Sequence, residues 1–283
     1  MKMKKSLILL AVPALIGCNS LVNEDPSFKP STTSEETSID YNQEYKVLFI
    51  GNSFTYYNDL DQITSKLAES MGLTKFSADR VACGSYHLSQ FADGNDEYGK
   101  QVEEKIKNNT YTHIIMQEHS TSPVSNYDSF LSGATALLTK LKTYQSSAKI
   151  SLYETWGFNN MVGTYGATIP ECELALMNAY KNCAKALNLG VHYVGRGFSK
   201  VYQEHSLINL YYVEDNKHPS FSGSYLSGLI HLASLTGADV RTTTYHGVKG
   251  TYNTYGETYV SDEDATILKE VAYNVYNQYG TNY

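Results

Sequence analysis

The sequence predicts an α/β protein: a mostly parallel sheet of five strands covered by helices on both faces. Two observations carry that prediction. Between residues 46 and 195, five short apolar runs alternate with stretches of helical apolar spacing, the pattern that builds βαβ units. Glycine and polar residues follow each of the five runs, as expected where strands end on the rim of an open sheet. About 240 residues lie beyond position 45, enough for one large domain with a sizeable core.

The first strand is read at residues 46–50, where Val47, Leu48, Phe49 and Ile50 run into Gly51-Asn52-Ser53. Leu60, Ile63, Leu67 and Met71 then share one side of a helix. A weaker strand covers 76–82, and a charged helix follows over 97–108. Residues 112–118 (THIIMQE) form a strongly apolar strand, followed by a helix over 127–144 and a strand over 149–156. The next helix starts at Pro170, a favoured first-turn position, and stops at Gly190, a favoured C-terminal cap. A fifth strand is read at 191–195, with further helices over 222–235 and 262–279.

The chain carries a formal charge of −7 and has no basic stripe, which argues against nucleic acid as a partner. There is no internal repeat. Cys172 and Cys183 lie eleven residues apart on one predicted helix, about 16 Å at 1.5 Å per residue, too far for a disulfide within one straight helix. No zinc-ligand pattern is present, so no metal is expected. Asp93, Asn95, Glu97 and Glu104 fit four positions of a calcium loop, but Tyr98 stands where such a loop needs glycine.

The residues behind each strand are where a ligand would bind. They are Gly51-Asn52-Ser53; Cys83-Gly84-Ser85; Gln117, Glu118, His119 and Ser120; Glu154, Thr155 and Trp156; and Gly195-Arg196-Gly197. A serine nucleophile needs a base, and the base an orienting acid. In EDNKHPSFSG, Asp215 precedes His218 by three residues, so a tight turn can present carboxylate and imidazole together. The plainer alternative makes Ser53 a helix cap and His218 a turn residue. Cys83 as a nucleophile lacks a nearby base. Trp156 is placed either to stack on a sugar ring or to pack in the core, and Asn52, His119 and Arg196 are candidate substrate contacts.

These blocks resemble the SGNH (GDSL-type) hydrolases, and most closely a bacterial subgroup of unknown function whose first block reads GNSF. FIGNSF matches the nucleophile block at Ser53, ACGS supplies the glycine at Gly84, and Asp215 and His218 match the C-terminal Asp-x-x-His. The resemblance covers roughly residues 45–235. It implies a three-layer α/β/α, flavodoxin-like fold and cofactor-free acyl transfer to water, with oxyanion donors at Ser53 and Gly84. There are two departures. Asn52 stands where the common form has aspartate. After the third strand, Gln117 stands where the common Gly-x-Asn-Asp pattern supplies an asparagine amide, so the third oxyanion donor falls to Gln117. The expected function is a serine esterase removing acyl groups, acetyl above all, from glycans. A non-catalytic glycan-binding protein on the same fold is the alternative.

The N-terminus has a cationic start (Lys2, Lys4, Lys5), an apolar run over residues 6–17, and Leu15-Ile16-Gly17-Cys18, which resembles a bacterial lipobox. This predicts a signal peptide over 1–17, lipid on Cys18, and a polar, acidic tether from there to 45 ahead of a domain over 46–283. The membrane, reached through that lipid, and an acylated glycan are the expected partners. Asn23-Glu24-Asp25 resembles export signals of surface lipoproteins in some Gram-negative bacteria, so the expected location is the outer membrane, with surface exposure.

Overall fold

A computed structural model describes residues 39–281; the signal peptide, Cys18 and most of the tether lie outside them. The chain opens with β1 (Tyr45–Gly51), α1 (Ser53–Tyr56), α2 (Leu60–Ser70) and β2 (Phe76–Ala82). It continues through α3 (Leu88–Ala92), α4 (Glu97–Asn108), β3 (His113–Met116), α5 (Ser122–Ser125), α6 (Tyr127–Tyr144) and β4 (Lys149–Glu154). Then follow α7 (Ile169–Leu187), β5 (Gly190–Tyr193), α8 (Val194–Glu204) and α9 (Phe221–Thr236). The hairpin β6 (Gly247–Asn253) and β7 (Gly256–Tyr259) and the final α10 (Asp262–Tyr279) complete it.

The five main strands are parallel, in the order β2-β1-β3-β4-β5, as in flavodoxin-like sheets. In this order the winding reverses between β1 and β3, which makes their carboxyl ends the switch point where ligands bind. Helices α2, α9 and α10 pack together on one face, and α4, α6 and α7 on the other. Val47 through Ile50 are fully buried, as a strand covered on both faces requires. Each such side chain stabilises the fold by roughly 1.5–3 kcal/mol through burial. Helix α9 is buried on nearly every side, held between the sheet, α2 and α10. Gly228 lets it close on α2, since a Cβ there would stand 3.0 Å from Leu67. Among the described residues, no helix is long and apolar enough to cross a membrane.

The structure moves several predicted boundaries. Ile39 already packs against the core and Tyr45 is buried in β1, so the domain begins before Lys46. Helix α7 is capped by Asn188 in the left-handed region (φ 53°), leaving Gly190 to open β5. Residues 194–195, read as the end of the fifth strand, instead start α8, which buries Val194, Phe198 and Val201. Cys83, Cys172 and Cys183 are free thiols.

Candidate active site

The segment after β1 is built for close approach. A Cβ on Gly51 would collide with Thr55 Oγ1 and lie 2.6 Å from Gln117 Oε1, so only glycine lets these side chains fold over the end of the strand. The Asn52 N–H donates to Gln117 Oε1 (2.8 Å) and the Thr55 hydroxyl donates to the same oxygen (2.9 Å). Asn52 Oδ1 accepts from the Phe54 N–H and caps α1. Its Nδ2 donates to Tyr86 O at 3.0 Å, which ties the turn after β2 to the turn after β1. Ser53 is therefore the first residue of a helix whose start is fixed from three sides.

His218 comes from the segment between α8 and α9. Its Nε2 lies 2.7 Å from Ser53 Oγ, and its Nδ1 lies 2.5 Å from Asp215 Oδ2. With the Nδ1 proton directed at the carboxylate, Nε2 is left to accept from the serine hydroxyl. Asp215 Oδ1 also accepts the N–H groups of Lys217 (2.9 Å) and His218 (3.0 Å). Partial burial acts to raise the Asp215 pKa, but these bonds from His218 and Lys217 outweigh it and hold the carboxyl below its ordinary value. Neither the Ser53 N–H nor the Gly84 N–H has an acceptor among the described residues. Gly84 faces α1 across the cleft, where a Cβ would stand 3.2 Å from Tyr56 Oη.

Comparison with known proteins agrees with this architecture. A DUF4886 family protein from Bacteroides uniformis superposes with a TM-score of 0.66 at 16% identity, covering 85% of this chain and 98% of its own. A candidate SGNH hydrolase from Slackia heliotrinireducens gives 0.56 at 22%, covering 67% and 98%. The lipase/acylhydrolase of Enterococcus faecalis gives 0.51 at 12%, covering 68% and 96%. The fold is SGNH-like. No family model matches the sequence, and no curated protein matches it.

Four sequence expectations for this SGNH-like cleft need correction. Gln117 is fully buried; its oxygen holds Asn52 and Thr55, and its amide donates to Glu118 O, so the side chain is tucked beneath the end of β1 instead of being exposed to an oxyanion in the cleft. Asn52 is likewise buried and spent on capping and on Tyr86. Trp156 is no platform for a sugar ring. It is wholly buried, stacked between Phe54 (4.4 Å) and Phe198 (4.1 Å), and its Nε1–H donates to Lys217 O at 3.0 Å, next to His218. The Arg196 guanidinium is committed to Glu173 (2.7 Å) and Tyr279 Oη (3.1 Å). His119, by contrast, stays half-buried on the rim.

Three further residues, none assigned a role from the sequence, pack around this rim. Glu118, 1% exposed, accepts the Leu88 and His119 N–H groups and faces His87 Nδ1 at 2.8 Å. That bond raises the His87 pKa. His87 in turn stacks on His119 at 4.8 Å. Burial, followed by the charges of His87 and Lys217, lowers the His119 pKa. Lys217 sits against the rings of Phe54 and Phe158, and burial lowers its pKa as well. Glu118 was visible at a strand end; nothing in the sequence marked His87 or Lys217. Among the described residues, no cluster of His, Cys, Asp or Glu is arranged to hold a metal ion.

Proposed function

We propose that the protein is a serine esterase that hydrolyses acyl esters, acetyl above all, on glycans, and that it is held at the bacterial envelope by lipid on Cys18. The observation that carries the hydrolase reading is the continuous chain Ser53 Oγ–His218–Asp215 at the switch point of the sheet. His218 Nε2 takes the Ser53 proton as Oγ attacks the ester carbonyl. Asp215 holds the Nδ1 proton and balances the imidazolium that forms. The Ser53 and Gly84 N–H groups receive the oxyanion; one such donor is typically worth about 10²–10³ in turnover. His218 then protonates the leaving sugar hydroxyl. In the second half it takes a proton from water as the water oxygen attacks the acyl-enzyme carbonyl, and returns that proton to Ser53 Oγ as the C–Oγ bond breaks and the acid leaves.

The glycan part of the reading rests on the secreted, lipid-anchored character read from the N-terminus. The burial of Gln117 leaves two backbone donors, and this favours the second reading, a binding protein on a hydrolase scaffold. Wild type and Ser53→Ala, assayed on an activated acetate ester and then on a panel of acetylated glycans, separate the two. Acetate released by wild type alone supports the esterase. Equal inactivity with retained glycan binding supports the alternative. The anchor is tested by mass spectrometry of membrane-extracted protein, where unmodified or absent Cys18 would refute it. Surface exposure predicts sensitivity to protease on intact cells.

A further inference from the structure

Two in-plane hydrogen bonds hold His218, one at each nitrogen. These bonds and the Cβ attachment hold the ring at its edge, Phe54 meets it edge-on at 5.5 Å, and a contact on the ring face limits the tilt that remains. Tyr57 supplies that contact, stacked on the imidazole at 4.2 Å and 9°. Tyr57 is itself backed by Tyr255 from the β6–β7 hairpin, at 3.8 Å and 19°. Tyr212, on the segment that carries the base, meets both tyrosines edge-on. The hairpin tip makes a second attachment beside the first. Asn253 Nδ2 donates to Asn58 Oδ1 (3.1 Å), while Asn58 Nδ2 donates to Pro219 O (3.1 Å) and Ser224 Oγ (2.9 Å). Asn58 is buried and left-handed (φ 57°), a conformation asparagine tolerates better than most residues. Asn253 Oδ1 also accepts the Tyr255 N–H at 2.7 Å and so shapes the tip that presents the ring.

Apart from these contacts the hairpin is largely exposed and polar. A peripheral two-stranded ribbon is marginally stable by itself. Its two inward residues nevertheless both land on the residues that follow the nucleophile. We propose that the β6–β7 hairpin is a positioning element for the base: Tyr255 presses Tyr57 against His218 and fixes the tilt of the imidazole between Asp215 and Ser53. The proposal rests on the hydrolase reading of those three residues. Tyr57 also places an electron-rich face where His218 becomes an imidazolium, so the stack favours the charged, proton-holding state. Burial, then Tyr255 and Asp215, push the Tyr57 phenol up to about 12, so the ring stays neutral at working pH.

The test uses the full chain with two readouts. Tyr255→Ala should lower kcat about 10-fold on an activated acetate ester with KM changed less than about twofold, and Tyr255→Phe should restore the wild-type rate. Independently of turnover, the His218 C2–H resonance (assigned with His218→Gln) should be sharp and ring-current shifted in wild type. It should broaden and move toward the free-histidine position in Tyr255→Ala. An unchanged kcat, a change confined to KM, or an unmoved His218 resonance would overturn the proposal. If Tyr255→Ala does not fold, Asn253→Ala carries the same expectation at about 2- to 5-fold in kcat, and full activity there overturns it equally. Should wild type and Ser53→Ala be equally inactive on every ester, the hydrolase reading falls, while the resonance still decides whether the hairpin holds the imidazole.

Discussion

The two halves of the site are built in opposite ways. The nucleophile turn, Gly51 to Thr55, is packed into the core, with Asn52, Phe54 and Thr55 buried and each polar group placed by another. The base sits on an irregular surface segment in which Glu214, Asp215 and Asn216 are exposed and Asn216 is left-handed (φ 51°). That segment is held from outside, at its backbone carbonyls. Trp156 holds Lys217 O, the Tyr212 N–H donates to His218 O (2.7 Å), and Asn58 holds Pro219 O. The serine is thus fixed by the same contacts that stabilise the fold, whereas the histidine is fixed by hooks that contribute little to it. Damage to the first half should appear as lost stability, and damage to the second as lost turnover in a protein that still folds.

That contrast can be broken in four places. Asp215→Asn should cut turnover by about 10³-fold or more, because the amide can direct the wrong imidazole nitrogen at Ser53. The melting temperature should stay within a few degrees, since Asp215 is exposed. A large loss of stability measured by thermal melting would erase the distinction between the halves. Gln117→Ala should act the other way. It strands the buried Asn52 N–H and Thr55 hydroxyl and opens a void, so chemical denaturation should report a loss of about 2–4 kcal/mol. A fully stable Gln117→Ala that is specifically slow would instead return Gln117 to the oxyanion.

Smaller changes sharpen the comparison. Trp156→Phe keeps the ring between Phe54 and Phe198 but drops the hook on Lys217 O. Turnover should fall about 3- to 10-fold at a stability cost of about 1 kcal/mol; equal activity in steady-state assays would show that the hook is dispensable. The smallest effect concerns pH. Burial lowers the pKa of His113 to about 4 and of His231 to about 3, and lowers that of His192 as well, none of them a member of the Ser53–His218–Asp215 set. The unfolded chain binds protons at these histidines below about pH 6.5 while the folded one does not, so stability falls on acidification. The limiting slope is about 1.4 kcal/mol per pH unit for each such histidine, down to its folded pKa. Asp215, whose pKa is lowered, adds stability above its unfolded value and loses it as pH falls through the folded one, the same direction at lower pH. His231→Leu should flatten the slope seen between pH 6.5 and 4 in denaturation series.

Much of this was readable in advance. β1, β4 and the helices over 127–144 and 262–279 follow from apolar period, and Ser53, Asp215 and His218 from their blocks. The structure brings those three together across 165 positions of sequence. Gln117 was misread because a place at a strand end says nothing about where a side chain turns. Gly51 leaves an opening beneath it, and the amide turned inward. Helix α8 did carry a signal, with Val194, Phe198 and Val201 at helical spacing, but Gly195 and Gly197 disguised it as a loop. The hairpin left almost none. Its strands are polar and exposed, and the value of Tyr255 lies in a contact that local pattern does not encode.

The central claim is that Ser53 is an activated nucleophile, and covalent labelling tests it without any assumption about substrate. A fluorophosphonate should react once per chain, and peptide mapping should place the adduct on Ser53 in wild type. No label should appear in Ser53→Ala, and labelling should be much slower in His218→Ala. A folded wild-type protein that takes up no label, or takes it up at another residue with Ser53 unmodified, would contradict the account and leave Ser53 as only the first residue of a short helix.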